Sequence, residues 1–484
     1  MTTTTELYLS IIDQTIGRRY IQHLHIFPFP NPEFGELALR ALRAGLSLTI
    51  QQLPFLAGTL KADESTGSMQ ASYPTDIQPD HGATMLTVDH TFATDPAFAY
   101  ATMEAQGFPL SMLPPRTFCP QALRNLPGLD HPYAATSALA SNGHCIPFMS
   151  AQATSIPGGL VLSVYMHHTV VDGTAVGRIY DIWSGHVRRQ DENRSALHVF
   201  NAESIDVSDL RVALDVVAHT SNLTNFTDLL HCPELTTVNM KRAVAPLRVG
   251  VYTVVVGILS FPESCVSGLR AELQAQTDVR ISIFVTIAAL LWVHITRART
   301  ANLIERGYTL TALGVAMDMR TRCEEPLAKD FIGNMALYCA TEFPISSIID
   351  AANPADVVLP VALALSSTLS SSSSSDWFTD RLHYLSSVAD PSTVTPAFTL
   401  DNGPDLFITS WQYLGADCEW CIPGTSAAKA SAIRKPGHVR GDGGIIILPR
   451  REGYERDYEV LVYLEEGEMT RIVESLGGFC CKVC

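Results

Sequence analysis

The chain has 484 residues, 46% hydrophobic and 17% charged, a globular composition with more chain than one ordinary core holds. A formal charge of −16 excludes a general nucleic-acid binder, because phosphate contacts need net or patchy basicity. Met1-Thr-Thr-Thr-Thr-Glu6 has no basic, apolar leader, no apolar run reaches the roughly 18 residues of a membrane helix, and eleven cysteines lack framework spacing. These features predict a cytoplasmic protein without a membrane span, divided into residues 1–190, a crossover connection over 191–245, and residues 246–484.

Ile21 to Phe27 reads as an early strand, broken by Pro28-Phe-Pro30. Phe34 to Gln52 has helical spacing, with Leu39, Leu42, Leu46 and Ile50 on one face. Leu53 to Leu60 enters another strand, and Asp95 to Gly107 turns helical again. Gly143 to Ala153 and Gly158 to Met166 are successive strands joined at Ser155-Ile-Pro157. In the second half Val251 to Phe261 and Leu310 to Met319 read as strands, and Glu263 to Ala275 and Ile283 to Arg299 as helices, the latter apolar enough to be buried. Ser371 to Ser375 reads as a surface loop or helix end. Gly444 to Leu448 and Tyr458 to Leu464 are closing strands before a short helix.

The stretch that carries chemistry is Leu160-Val-Leu-Ser-Val-Tyr-Met-His167-His168-Thr-Val-Val-Asp172-Gly173. A buried strand delivers two histidines, and helical spacing begins after Gly173 with Ala175, Val176, Ile179, Tyr180 and Trp183. Imidazole suits a base because its ordinary pKa, about 6.5, permits proton transfer in both directions near neutrality. Strand alternation turns His167 to the face opposite His168, which makes it structural. The spacing alone is weak: in a chain with fifteen histidines a second copy, His438-Val-Arg-Gly-Asp442, stands before its strand instead of after one. Locally, Asp172 reads equally well as the cap of the following helix. The terminal Cys481-Lys-Val-Cys484 offers two ligands, too few for a tetrahedral metal, and reads as a tail.

Seven marks then occur in order: Leu9-Ser-Ile-Ile-Asp13-Gln14, Leu53-Pro-Phe-Leu-Ala-Gly58, the His168–Asp172 corner, Met317-Asp-Met-Arg320-Thr-Arg322, Phe331-Ile-Gly-Asn334, Thr409-Ser-Trp411 and Gly444-Ile-Ile-Ile-Leu-Pro449. Together they resemble the plant and fungal acyl-CoA-dependent acyltransferases called BAHD, especially the fungal branch that includes trichothecene O-acetyltransferase. The resemblance implies an α/β, two-domain, chloramphenicol-acetyltransferase-like fold, each domain a mixed β-sheet flanked by helices. It implies a monomer that binds no permanent cofactor and transfers an acyl group, acetyl being simplest, from acyl-CoA to a hydroxyl of a small hydrophobic metabolite. His168 is then the general base, and Asp172 turns away to pair with Arg320, with Arg322 the alternate. Thr409 and Trp411 stand beside the reaction centre as oxyanion donors. The family's Asp-Phe-Gly-Trp-Gly signature corresponds to Asp417-Cys-Glu-Trp-Cys421, with Asp417 as structural support; losing both glycines predicts a differently shaped loop. The basic stretch with Arg434, Lys435, Arg440, Arg450 and Arg451 is the candidate cradle for the CoA phosphates, and a solvated basic face is the plain alternative.

Two other readings fit the same residues. His-His-x-x-x-Asp-Gly is also the signature of nonribosomal-peptide condensation domains, which would take a carrier-bound donor. A non-catalytic ligand-binding protein on the same fold is the other, consistent with the altered Asp417 loop.

Overall fold

The computed structural model describes residues 3–63, 66–124, 145–192, 207–220, 232–237, 253–322, 330–437, 441–451, 456–479 and 482–483. Arg440, His438 and the cysteines of the tail lie outside them. The strands that build the two large sheets are β1 (Tyr20–Pro28), β2 (Leu86–Asp89), β3 (Met149–Ile156) and β4 (Gly159–His167) in the first half. The second half supplies β5 (Val254–Phe261), β6 (Leu310–Asp318), β7 (Ala336–Pro344), β8 (Leu406–Ser410), β9 (Ala432–Arg434), β10 (Gly444–Ile447), β11 (Tyr458–Glu465) and β12 (Lys482–Val483). Helices used below are α1 (Ile11–Thr15), α2 (Gly35–Gln52), α3 (Gly173–Glu192), α4 (Ser208–Thr220), α5 (Ile283–Ala298) and α6 (Ala355–Ser371).

The strands form two mixed sheets, one per domain. The first runs β9-β1-β4-β3-β2 and the second β7-β6-β8-β10-β11-β5-β12. In the first, only β2 and β3 run parallel; in the second, β6, β8 and β10 run parallel and the flanking pairs antiparallel. β9 joins the first sheet from the second half of the chain, pairing Ala432 with Ile26 and Arg434 with Leu24. The two halves are thus stitched by main-chain hydrogen bonds as well as by packing.

β4 is buried at every position, as expected for an aliphatic, β-branched strand paired on both sides. Helices α2 and α3 pack on this sheet, and the Trp183 indole donates to Leu42 O at 3.2 Å. α5 is the spine of the second core: its N-cap Ser282 accepts from Val285 N at 3.1 Å, and nearly every side chain from Val285 to Ala298 is buried. Among the described residues no single helix is long and apolar enough to cross a membrane. One face of the second sheet, with Leu313, Val315, Leu406, Ile408, Ile445 and Val462, closes that core. Its other face carries Ile446, Leu461, Tyr463 and Ile258, against which Leu110 of the first half packs.

The structure adds elements to the sequence reading. The crossover carries α4 and a short strand, Leu235–Thr237. β7 and the helix Ser375–Ser387 carry no clear signal in the sequence, yet β7 is the edge of the second sheet. Ser371 to Ser375 marks a helix end: α6 stops at Ser371, and Ser374 caps the next helix by accepting from Trp377 N at 3.2 Å.

Candidate active site

The site is a turn. β4 ends at His167, the ladder continues for one residue through His168 N to Arg19 O at 2.7 Å, and α3 begins at Gly173. Between them the carbonyls of His168, Thr169 and Val170 have no place in a strand or helix ladder. Unpaired and buried they would destabilise the turn, so the fold brings side chains to them.

Arg320, at the end of β6, reaches across to Asp172. Its Nη1 donates to Oδ2 at 2.8 Å and its Nη2 to Oδ1 at 3.0 Å, a bidentate pair with side chains 2% and 3% exposed. Asp172 Oδ1 also accepts from Ala175 N at 2.9 Å, capping α3, and Oδ2 accepts from Met335 N at 2.8 Å. The cap and the ion pair are therefore the same carboxylate. Arg320 is completed by Phe331 O, Gly333 O and Asp318 Oδ1. Neighbouring Asp172 is a main reason its guanidinium is held above its ordinary value against burial.

A second buried group holds the other side of the turn. Asp13, in the first turn of α1, accepts from Arg211 Nε at 3.0 Å, Ser10 N at 2.9 Å and Asn334 Nδ2 at 2.7 Å. Burial pushes the Asp13 carboxyl up, while Arg211, Asn334 and Ser10 oppose that shift. Arg211 comes from α4, inside the supposed crossover, and donates to Val170 O at 2.7 Å and Val207 O at 2.8 Å. Asn334 Nδ2 also lies 2.9 Å from His168 O and 3.1 Å from Thr169 O. The guanidiniums of Arg211 and Arg320 sit 5.3 and 5.8 Å from the centre of the Phe331 ring, close enough for cation–π attraction. Gly333 between them must be glycine: a Cβ there would fall 2.2 Å from Phe331 Cζ and 2.9 Å from Arg211 Nη2.

Burial pushes His168 down to about 4, and Arg19 acts the same way; its own carbonyl, Asp172 and Asn334 act in the opposite direction. The ring is therefore neutral at pH 7 and can accept a proton. Burial and the neighbouring His168 hold His167 at about 3, its Nδ1 accepts from Thr169 N at 3.3 Å, and its ring packs edge-on to Tyr20. It is a packed core residue on the opposite face of β4.

The other residues singled out in the sequence go to different places. Thr409 is half-buried on the face of β8 that also carries Phe407, in register with Ile446. Trp411 follows it and packs edge-on to His23 of β1, ring centres 4.6 Å apart. Arg322 turns away, donating to Leu369 O and Ser373 Oγ. Asp417 is not in the cluster: it is 43% exposed and pairs with Lys429 at 3.0 Å. Its neighbour Trp420 is buried against Trp183, His25 and Phe27. Cys421 holds φ at +44°, a left-handed conformation unfavourable for a residue with a side chain. The phosphate cradle also needs correcting. Arg434 is 3% exposed and committed to Glu459 and the carbonyls of Gly107 and Phe108, while Lys435 is 1% exposed and donates to Tyr463 Oη at 2.6 Å. Facing inward, they are not an exposed anion site. A small cavity of about 20 Å³ opens beside the Asp13 group, lined by Ile12, Thr15, Leu337, Tyr338, Leu385 and Val394 among others.

Asp13, Arg211 and Asn334 were missed as site residues. Asp13 and Asn334 lie within motifs noted in the sequence, but nothing in the order of residues pairs them. Arg211 stands in a polar stretch without any signal.

A two-domain α/β fold with a strand-end histidine and an Asp–Arg brace beneath it defines an acyltransferase-type architecture. The chain belongs to the transferase family, whose model matches residues 132–477, and residues 19–185 match the trichothecene 3-O-acetyltransferase-like N-terminal domain. Among curated relatives it is 23% identical to O-acetyltransferase ptmV of Penicillium ochrochloron, over 96% of this chain and 94% of that one. It is 22% identical to trichothecene 8-O-acetyltransferase of Fusarium sporotrichioides, over 99% and 97%. TRI101 of F. graminearum, solved with ethyl coenzyme A, superposes with a TM-score of 0.76 at 16% identity, covering 99% of this chain and 100% of that one. The first condensation domain of the CDA synthetase superposes less well, with a TM-score of 0.53 at 14% identity over 98% and 96%.

Proposed function

We propose that the protein is an acyl-CoA-dependent O-acyltransferase that acetylates a hydroxyl group of a small hydrophobic secondary metabolite. The observation that carries this reading is a neutral, depressed-pKa His168 on a turn braced from both sides, in a chain whose relatives are O-acetyltransferases. His168 Nε2 takes the proton of the acceptor hydroxyl as its oxygen attacks the thioester carbonyl. The carbonyl π electrons move onto oxygen, and Thr409 Oγ1 and the Trp411 indole N–H are the donors proposed for that oxyanion. Collapse breaks the C–S bond, and the imidazolium returns its proton to the departing CoA thiolate. Asp172 and Arg320 maintain the turn and take no part in proton transfer.

The relatives' names, trichothecene 8-O-acetyltransferase among them, support a small hydrophobic acceptor. A monomer is taken as the working unit. Eleven cysteines without framework spacing support a reducing, cytoplasmic setting. The domains are taken as residues 1–190 and 246–484, with α4 in the connection serving the site.

The test is thiol release from acetyl-CoA with hydroxylated terpenoids, alkaloids and polyketides, run beside His168→Ala. Turnover that disappears in the variant supports the reading. Folded protein that neither turns over nor binds acetyl-CoA by calorimetry, and instead accepts an acyl group from a phosphopantetheinyl carrier, defeats it.

A further inference from the structure

The register of the first sheet sets a cation beside the base. β1 and β4 pair Tyr20 with His167, whose rings meet edge-on 5.1 Å apart on one face. Strand alternation turns the next pair, Arg19 and His168, to the opposite face, and the 2.7 Å bond from His168 N to Arg19 O keeps them in step. Directly opposed residues on one face stand about 5 Å apart at Cβ. That face continues along β1 through Ile21 to His23, on which Trp411 packs, about 13 Å along the strand from Arg19. Ile21, His23 and Met166 are buried, whereas Arg19 and His168 are half-buried, so the face opens where the two lie together. The neighbouring Arg18 is anchored, donating to Gly67 O at 2.6 Å. Arg19 is not: among the described residues its guanidinium has no hydrogen bond or ion pair. Its flank rests on the bare backbone of Gly17, where a Cβ would stand 3.5 Å from Cζ. Asp172 in the same turn is engaged by Arg320, Ala175 N and Met335 N and has nothing left to give.

A guanidinium beside a base works against the imidazolium that forms during acyl transfer: burial holds His168 down first, and the field of Arg19 adds to it. Such a placement becomes favourable once an anion meets the guanidinium. Its planar fork of N–H donors matches a carboxylate in two parallel hydrogen bonds. The whole pantetheine arm separates the phosphates of CoA from its thioester, so an anion at this position belongs to the acceptor. We propose that Arg19 selects the acceptor by gripping a carboxylate, and that the preferred acceptors are hydroxy acids, with an apolar body and an ionised carboxyl group a few atoms from the reacting hydroxyl. This rests on the acyl-transfer reading and deepens it by naming the acceptor class of the same site. The hydroxyl then meets His168, the carboxylate meets Arg19 and the thioester carbonyl lies toward Trp411. A bound carboxylate also offsets the guanidinium's field at the ring, so His168 gains basicity when a fitting acceptor is in place. The charged and titratable groups facing His168 are Arg19 ahead of β1, His167 on its own strand and Asp172 in the turn.

Thiol release from acetyl-CoA is measured with hydroxylated terpenoid and polyketide acids, each beside its methyl ester. Wild type should use the acid with a kcat/KM at least about tenfold above the ester, as one charge-assisted pair provides. Arg19→Gln should bring that ratio to about one, and Arg19→Lys, which keeps the charge and loses the fork, should fall between. The ratio cancels any effect of the variant on the base itself. Equal use of acid and ester by wild type, a preferred ester, turnover confined to acceptors without a carboxyl group, or a ratio unchanged in Arg19→Gln overturns the proposal. Binding is read without turnover. In full-length protein labelled with 13C-histidine, acetate at pH 7 should move the His168 ring signal saturably and acetamide should not, with His168 identified by the signal lost in His168→Ala. Arg19→Gln should weaken the acetate response at least about tenfold; a His168 signal indifferent to acetate overturns the proposal. If the variants do not fold, the wild-type comparisons decide. If wild type turns nothing over, the acyl-transfer reading fails, and the acetate titration judges Arg19 by itself.

Discussion

Replacing Asp172 by asparagine is the sharpest test of how the turn is held. The substitution preserves shape and removes one charge, leaving Arg320 buried at 3% exposure with Asp318 as its remaining carboxylate at 2.9 Å. Stranding a buried charge costs about 3–5 kcal/mol. Asp318 and the carbonyls of Phe331 and Gly333 still face the guanidinium, which places the loss at the lower end. The amide NH2 must replace Oδ1 or Oδ2, and either way it meets an Arg320 N–H and the backbone N–H of Ala175 or Met335, donor against donor. One unsatisfied backbone donor adds about 1 kcal/mol. The expected total is about 3–4 kcal/mol, read as the shift in urea midpoint multiplied by the slope. In a double-mutant cycle with Arg320→Met, the pair should lose about 2–3 kcal/mol less than the two single variants summed. A loss below about 1 kcal/mol for Asp172→Asn, or additivity within about 0.5 kcal/mol, would refute the brace.

Other outcomes follow from the same geometry. Because burial sets His168 at about 4, kcat/KM should stay flat as pH falls to about 5 and halve near 4; half-loss near 6.5 would mean the base is elsewhere. Stability should also fall in acid. His23 and His167 lie at about 3 and His186 and His294 at about 4, all below their ordinary value, so the unfolded chain binds more protons below about 6.5. The melting temperature should therefore drop as pH goes from about 7.5 to 5, and an unchanged or higher value at pH 5 contradicts the burial of neutral rings. Cys421→Gly should stabilise by about 0.5–1 kcal/mol, since relief of a left-handed cysteine exceeds the added freedom of the unfolded chain; a lower melting point counts against it. Gly333→Ala should cost at least about 2 kcal/mol through collision with the Phe331 ring, and a neutral effect on denaturant unfolding would show that the loop relaxes freely.

What the sequence determined was local. A β-branched run bounded by Gly158-Gly159 had to be a strand, a change of period after Gly173 had to start a helix, and alternation had to separate His167 from His168. The order of seven short motifs was enough for the fold and for Arg320 as the partner of Asp172. The burial of single charged residues and long-range pairing were not legible, because neither leaves a periodic trace. Arg434 and Lys435 read as a basic face, yet β9 crosses to the first sheet and carries Arg434 into the interior, where Glu459 meets it. Arg211 read as part of a connection, yet it sits with Asp13 at 0% exposure and holds Val170 O. Asn334 lies 166 positions from His168 in the chain and 2.9 Å from its carbonyl in the fold. A side chain is recruited to a buried carbonyl because leaving that carbonyl unpaired is costly, and which side chain arrives depends on how two sheets and a connecting helix pack. That choice belongs to the tertiary structure.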